Sequence, residues 1–407
     1  MNMRVPTGFL MAVLCACGAE TSNPAPSQTP VQAAAQAPDQ VVISDPQAPC
    51  MEAHLTGVGG PAPQPGKAQS GVFIRYGTVE TGCDGIRLQF DAGRGTLMRL
   101  AQIPAKTPPR FITPQSLDAL FITHAHSDHT SSLPDIISTR WVLSKNDGQF
   151  STSPPPPGRY SPLPVICFGV SCEPVSKATA MWDSHEIPGR AKNDFRTTRP
   201  EADIREFTLS DTSQMVWQRG AITVSAITVD HIEDSVGFKI ETPAGDVCIS
   251  GDTDLSENLI SACDGVDVLI HETVHPVLAA IADAPPEAAD PRFVEIVDNV
   301  YKSHTDTSVL SAFDGSVSAL VMTHMTPGVG AGGFQGIALP PYLNKLDPTR
   351  SNGPLRSDDF CSVLRGGGYE GVAHLGVDRL SIRLEDGTAS FQAPDNALTD
   401  CDAILAE

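Results

Sequence analysis

Between Thr123 and Thr130 the chain reads Thr-His-Ala-His-Ser-Asp-His-Thr, which crowds His124, His126, Asp128 and His129 into one short segment. An apolar stretch, Leu117 to Thr123, runs directly into it. Neutral imidazole and carboxylate are the donors zinc prefers where thiolates are lacking. A lone histidine is more often a hydrogen-bonded core residue than a ligand. Three imidazoles and a carboxylate in one turn serve no ordinary structural purpose, and the crowding exceeds one metal's share.

Other short apolar runs end the same way. Ile222–Val229 leads into Asp230 and His231, Val247–Gly251 into Asp252, Val266–Ile270 into His271, and Ala319–Thr323 into His324. Apolar runs of this length bounded by polar residues read as buried strands. In α/β folds the carboxyl ends of such strands converge on a common rim that carries the site. Gly71–Tyr76 and Ile86–Phe90 also read as strands, and a short helix is expected from Gly93 to about Gln102. Residues 141–207 are Pro-rich, with four prolines at 154–157, and are expected to form an irregular surface insert lining a substrate entrance.

The 407 residues are 41% hydrophobic and carry a formal net charge of −21. A core of ordinary size is therefore available, while a field of that sign disfavours polyanions unless a bound metal reverses it locally. Arg4, the apolar run Phe9–Leu14 and then Leu-Cys-Ala-Cys17 read as an export signal at 1–17, too short to span a bilayer. The pattern resembles a bacterial lipoprotein signal with Cys17 as the lipidated residue; the alternative is a plain secretory signal cut near Ala16 to Gly18. Residues 18–50, rich in Ala, Pro, Gln and Ser, read as a flexible tether. A foldable domain is expected over 51–395, then a tail at 396–407. Setting Cys15 and Cys17 aside leaves eight cysteines, an even number that fits disulfides in an exported chain, and Cys167–Cys172 closes a plausible small loop. The expected location is periplasmic or membrane-anchored, and no feature sets an oligomeric state.

Taken together, His124-x-His126-x-Asp128-His129, His231, Ser250-Gly-Asp252 and His324 resemble, in kind and order, the HxHxDH signature and later ligands of the metallo-β-lactamase superfamily. Leu55–Pro61, Phe90–Thr96 and Leu269-Ile-His271-Glu272-Thr273 resemble the branch that holds ribonuclease Z and the metallo-β-lactamase-type arylsulfatases. The resemblance implies an α/β fold, the four-layer αββα metallo-β-lactamase sandwich. It also implies two Zn2+ per chain, with other divalent metals fitting the same donors. His124, His126 and His231 would hold one ion, Asp128, His129 and His324 the other, and Asp252 would bridge them. A hydroxide shared by the metals would be the nucleophile. His185 competes with His231 for its place but lies in the insert. His304 is implied either as a proton donor or as a residue that only orients a ligand, with Glu272 and His271 beside it. Asp91 ends a further apolar run and is expected to orient a ligand. His54, His275 and His374 are left as structural or surface residues.

The acidic charge, the export signal and the lack of a basic Gly-rich arm point away from nucleic acid. The sequence therefore predicts an exported, arylsulfatase-like dizinc hydrolase of small anionic sulfate or phosphate esters, touching a membrane only through the Cys17 anchor. Asp128, Asp252, His304 and Glu272 would be its catalytic residues. The alternatives are a phosphodiesterase of cyclic or aryl diesters and a non-catalytic metal-binding lipoprotein.

Overall fold

The computed structural model describes residues 45–106, 110–144, 160–193, 198–284, 290–350 and 352–407. The expected signal, and the tether up to residue 44, lie outside them. In chain order the strands are β1 (Pro49–Gly57), β2 (Gly71–Thr78), β3 (Ile86–Phe90), β4 (Ala119–Phe121), β5 (Leu163–Phe168), β6 (Ala202–Phe207), β7 (Ser213–Arg219), β8 (Ile222–Thr228), β9 (Val236–Thr242), β10 (Gly245–Ile249), β11 (Val268–Val274), β12 (Ala319–Thr326), β13 (Gly333–Phe334), β14 (Ile337–Ala338), β15 (Val372–Leu375), β16 (Ser381–Glu385) and β17 (Thr388–Gln392). They form one sheet in the order β17-β16-β1-β2-β3-β4-β5-β6 and a second in the order β15-β12-β11-β10-β9-β8-β7; β13 and β14 make a separate hairpin.

Strand alternation builds the layers. In β2, Val72 and Ile74 face the second sheet, whereas Phe73 points outward. In β11, Val268 and Ile270 face inward and Leu269 outward. The inner faces close a core in which Phe90, Phe121 and Phe238 meet at centroid distances of 4.7–5.5 Å. Helix Leu133–Leu143 covers the outer face of the first sheet. Helices Val277–Ala282, Pro291–Lys302 and Ser357–Gly366 cover that of the second. The result is two large sheets flanked by helices, the four-layer α/β arrangement expected from the sequence.

Residues 141–207 depart from the expected irregular insert. They contain β5 and β6, which pair in parallel with each other and extend the first sheet beyond β4. Leu163, Val165 and Cys167 are fully buried on its outer face. The run is six residues long and holds Pro164, so the surrounding prolines hide it from a periodicity reading. At the other end, residues 396–407 include helix Cys401–Ala406, whose Cys401 is bonded to Cys361. The other disulfides are Cys50–Cys83, Cys167–Cys172 and Cys248–Cys263, so all eight cysteines among the described residues are paired.

In the first sheet β3, β4 and β5 run parallel, and in the second β10, β11, β12 and β15 do. Their carboxyl ends meet at one edge of the sandwich, and the histidine-rich segments lie there.

Candidate metal centre

β4 ends at Phe121, and the chain passes through Thr123 and His124 into the single-turn helix Ser127–Thr130. That turn presents Asp128 and His129 inward, both buried. From the second sheet, β8 delivers His231, β10 delivers Asp252, and β12 delivers His324. Three residues at this rim, Asp91, Asp234 and His324, carry positive φ angles of 56°, 59° and 46°. Such a backbone is costly for residues other than glycine and concentrates at functional sites.

Among the described residues three groups of ligating atoms result, each confined within 4.8 Å: His124, His126, His231 and Asp252; Asp128, His129, His324 and Asp252; and, beside them, Glu272, His304 and His324. Asp252 belongs to the first two. Its Oδ2 lies 3.7 Å from His124 Nε2, 3.9 Å from His231 Nε2 and 3.5 Å from His324 Nε2, and its Oδ1 is 3.3 Å from His129 Nε2. His231 Nε2 is 3.1 Å from His126 Nδ1, and His324 Nε2 is 2.9 Å from Asp128 Oδ2.

These donors fit a cation. His124 Nε2, His129 Nε2 and Asp252 Oδ1 are fully buried yet have no hydrogen-bond partner. Buried polar atoms are ordinarily satisfied, so three orphans gathered within two overlapping groups suit a cation. Burial and the neighbouring His129 push His124 well below its ordinary pKa, and burial likewise lowers His126 and His231. They present neutral lone pairs. Burial also lowers His129 and His324, but the carboxylates around them, Asp252 and Asp91 for His129 and Asp252 and Asp128 for His324, together outweigh it and raise both. The negative charge that holds those protons would hold a metal in their place. Asp252 would be raised by burial alone, but His129, His324 and His124 keep it well below the usual carboxylate range.

The remaining ring nitrogens are held from behind, as metal-binding imidazoles require. His129 Nδ1 lies 2.7 Å from Asp91 Oδ2, and Asp91 also accepts from the Thr123 amide and hydroxyl. His124 Nδ1 is 3.1 Å from Thr123 Oγ1. His231 Nδ1 donates to the Ser303 carbonyl at 2.8 Å, a contact without a sequence signal.

His304 sits beside the two groups that share Asp252, its ring 4.8 Å from that of His231 and 5.8 Å from that of His324. Its Nδ1 lies 3.1 Å from Glu272 Oε1, which also accepts from the Thr253 and Thr305 amides. Burial lowers His304, but the Glu272 carboxylate outweighs it and lifts the pKa to about 9. His271 is not at the site. Strand alternation turns it away from Glu272, to a ring contact 5.2 Å from Phe313. His185 is exposed and bonded to Ser184, and His54, His275 and His374 lie in other contacts.

The ligand groups form the floor of a cavity of ≈ 890 Å³. Part of the wall is the Pro-rich loop from Gly60 to Lys67, and the rest comes from helix Pro291–Lys302, Ser303 and residues 327–335. Lys67 is the one Lys or Arg among the lining residues; burial lowers its pKa, against a raising effect of Asp378. Sequence reasoning missed it, because a single lysine after a proline run carries no pattern.

No family model matches the chain. It is 29% identical over 285 residues to ribonuclease Z of Mycobacterium bovis, an alignment covering 69% of this chain and 88% of the relative. It is 30% identical over 285 residues to ribonuclease Z of Mycobacterium avium, with the same coverage. The chain belongs to the ribonuclease Z family. Among solved structures it is similar to the metallo-β-lactamase fold protein YhfI of Bacillus subtilis, at a TM-score of 0.50 and 15% identity, covering 81% of this chain and 98% of that one. The ribonuclease Z relatives overturn the arylsulfatase-like reading, both of its alternatives and the exclusion of nucleic acid. The physical reason is that a charge of −21 sums over the whole surface. The charge inside the cavity is set by its own floor and walls, where Lys67 and the histidine–aspartate cluster lie.

Proposed function

We propose that the protein is a metal-dependent hydrolase that cleaves phosphodiester bonds of RNA. The observation that carries this reading is the pair of ligand groups sharing Asp252 on a cavity floor, in a chain of the ribonuclease Z family. His124, His126 and His231 would hold one ion, Asp128, His129 and His324 a second, with Asp252 between them. Zinc suits this nitrogen and oxygen set, and other divalent ions fit it too. A bound pair supplies a water-derived nucleophile at neutral pH and neutralises phosphate charge.

The chain's own residues supply the rest. Asp91 and Thr123 fix the tautomers and orientations of His124 and His129. His304, which lines the cavity and is held protonated by Glu272, donates a proton to the leaving ribose oxygen. Glu272 acts as a positioning residue, anchored by the two amides. Lys67 offers a phosphate contact at the lip. We further propose that the protein works in an oxidising compartment, exported by the segment 1–17 and anchored at Cys17. Four disulfides in one chain support that reading, since such bonds are rare in reducing cytosol. Among the described residues no helix is long and apolar enough to cross a membrane.

The test uses metal-loaded full-length protein and end-labelled RNA bearing a stem and a single-stranded extension. Cleavage should occur, and His304→Ala should lower kcat by about 10²- to 10⁴-fold with metal content unchanged. A fully loaded protein that leaves every RNA intact would refute the reading.

A further inference from the structure

The wall of the cavity beyond the Pro-rich loop does not resemble the surface of a protein that grips RNA by charge. Helix Pro291–Lys302 contributes Asn299 and Val300 to it, and Ser303, which caps the helix, adjoins them. The loop after β12 adds Val329, and the β13–β14 hairpin adds Phe334 and Gln335. None of these residues is charged. The hairpin is firmly seated. Ile337, directly across from Phe334 in the ladder, is buried in the core under the helices. The Leu339 amide donates to the Gly332 carbonyl at 3.1 Å. The turn residues Gln335 and Gly336 have φ of 46° and 80°, and a Cβ on Gly336 would come within 3.2 Å of the Phe293 ring, so the turn rests directly on the helix. Phe334 is thus held half-buried in the same cavity as the two ligand groups.

A cavity of ≈ 890 Å³ falls within the range of small-ligand pockets. It has room for a nucleotide. An uncharged wall with one fixed aromatic ring, continuous with a floor built for phosphate, matches the two halves of a nucleotide. Unpaired bases are read by stacking on such rings and by hydrogen bonds to their edges. We infer that this wall is a base subsite: an unpaired nucleobase flanking the scissile phosphate stacks on Phe334, with the Asn299 amide at its edge. The inference rests on the RNA-cleaving reading above and specifies its substrate, a single-stranded stretch at the cleavage point.

The experiment uses metal-loaded full-length protein and single-stranded RNA carrying a fluorescent purine analogue beside the cleavage point, with an abasic counterpart. Two signals are read: fluorescence quenching on mixing, before turnover, and KM and kcat. In the wild type, quenching should occur, and the abasic RNA should show a KM raised roughly 5- to 150-fold. Phe334→Ala should abolish the quenching and erase that ratio, and Phe334→Trp should preserve both. Cleavage by the wild type with neither quenching nor a base-dependent KM would overturn the subsite and leave the reaction standing. Quenching without cleavage would overturn the reaction and leave the subsite standing. An unchanged ratio in Phe334→Ala would move the subsite off that ring. The abasic comparison on the wild type needs no variant to fold.

Discussion

Replacing both Cys361 and Cys401 by alanine removes the bond that ties helix Cys401–Ala406 to helix Ser357–Gly366 in the layer outside the second sheet. Both sulfurs are fully buried, and the bond closes a loop of 40 residues. Loop-closure entropy for that length gives ~4 kcal/mol of stabilisation through the unfolded state. The same relation gives ~3 kcal/mol for the 15-residue separation of Cys248–Cys263 and ~2 kcal/mol for the 5-residue Cys167–Cys172. Urea unfolding followed by tryptophan fluorescence reads all three double variants. The expected order of loss is Cys361/Cys401, then Cys248/Cys263, then Cys167/Cys172. Together the four bonds approach the whole stability of an ordinary domain, about 5–15 kcal/mol. Refolding with reductant present should therefore yield little native protein, and refolding under oxidising conditions should restore it. Equal midpoints with and without reductant would refute both the entropy argument and the oxidising compartment inferred from it.

Acid should weaken the fold through Glu52, on β1. Burial raises its carboxyl, but His54 and the Arg75 guanidinium outweigh this and hold it at about 2, against 4.5 unfolded. A depressed carboxyl stabilises above the unfolded value, so about 3 kcal/mol should drain away as pH falls from 4.5 toward 2; Glu52→Gln should flatten that limb in acid unfolding curves. Gly60→Ala places a Cβ 3.2 Å from His324 Cε1. It should cut kcat about tenfold or more while the urea midpoint hardly moves, and unchanged turnover would place His324 outside the reaction. Lys67→Ala should weaken binding of single-stranded RNA and reduce the slope of log K against log salt by about 0.7; an unchanged slope would remove Lys67 from phosphate contact.

The gathering of histidines and aspartates at one edge was legible because the segments that carry them end buried runs. His124, His231 and Asp252 follow β4, β8 and β10, and His324 lies near the end of β12; an apolar run leading into a polar residue is visible in one dimension. The core followed from the same runs. Less was legible where neighbours in sequence part in space. His271 and Glu272 adjoin along β11, yet the two-residue strand period sends one to Phe313 and the other to His304. β6 was hidden because its residues are mostly exposed and mix Asp, Arg and Glu with apolar ones. The contact from the Ser303 carbonyl to His231 spans 72 positions and involves a backbone atom, which has no residue code. The substrate reading failed for a different reason. Net charge is a sum over the surface, whereas recognition at this site depends on the few groups lining one cavity.

Metal content and RNA cleavage measured on the same sample test the central claim most directly. The protein loaded with zinc and freed of excess ion should carry two ions per chain and cut the single-stranded extension of a stem-bearing RNA. Asp252→Ala, which removes the carboxylate common to both groups, should lose metal and cleavage together while remaining folded. Full cleavage by a metal-poor Asp252→Ala protein, or none by a wild type holding both ions, would contradict a paired metal centre acting on RNA.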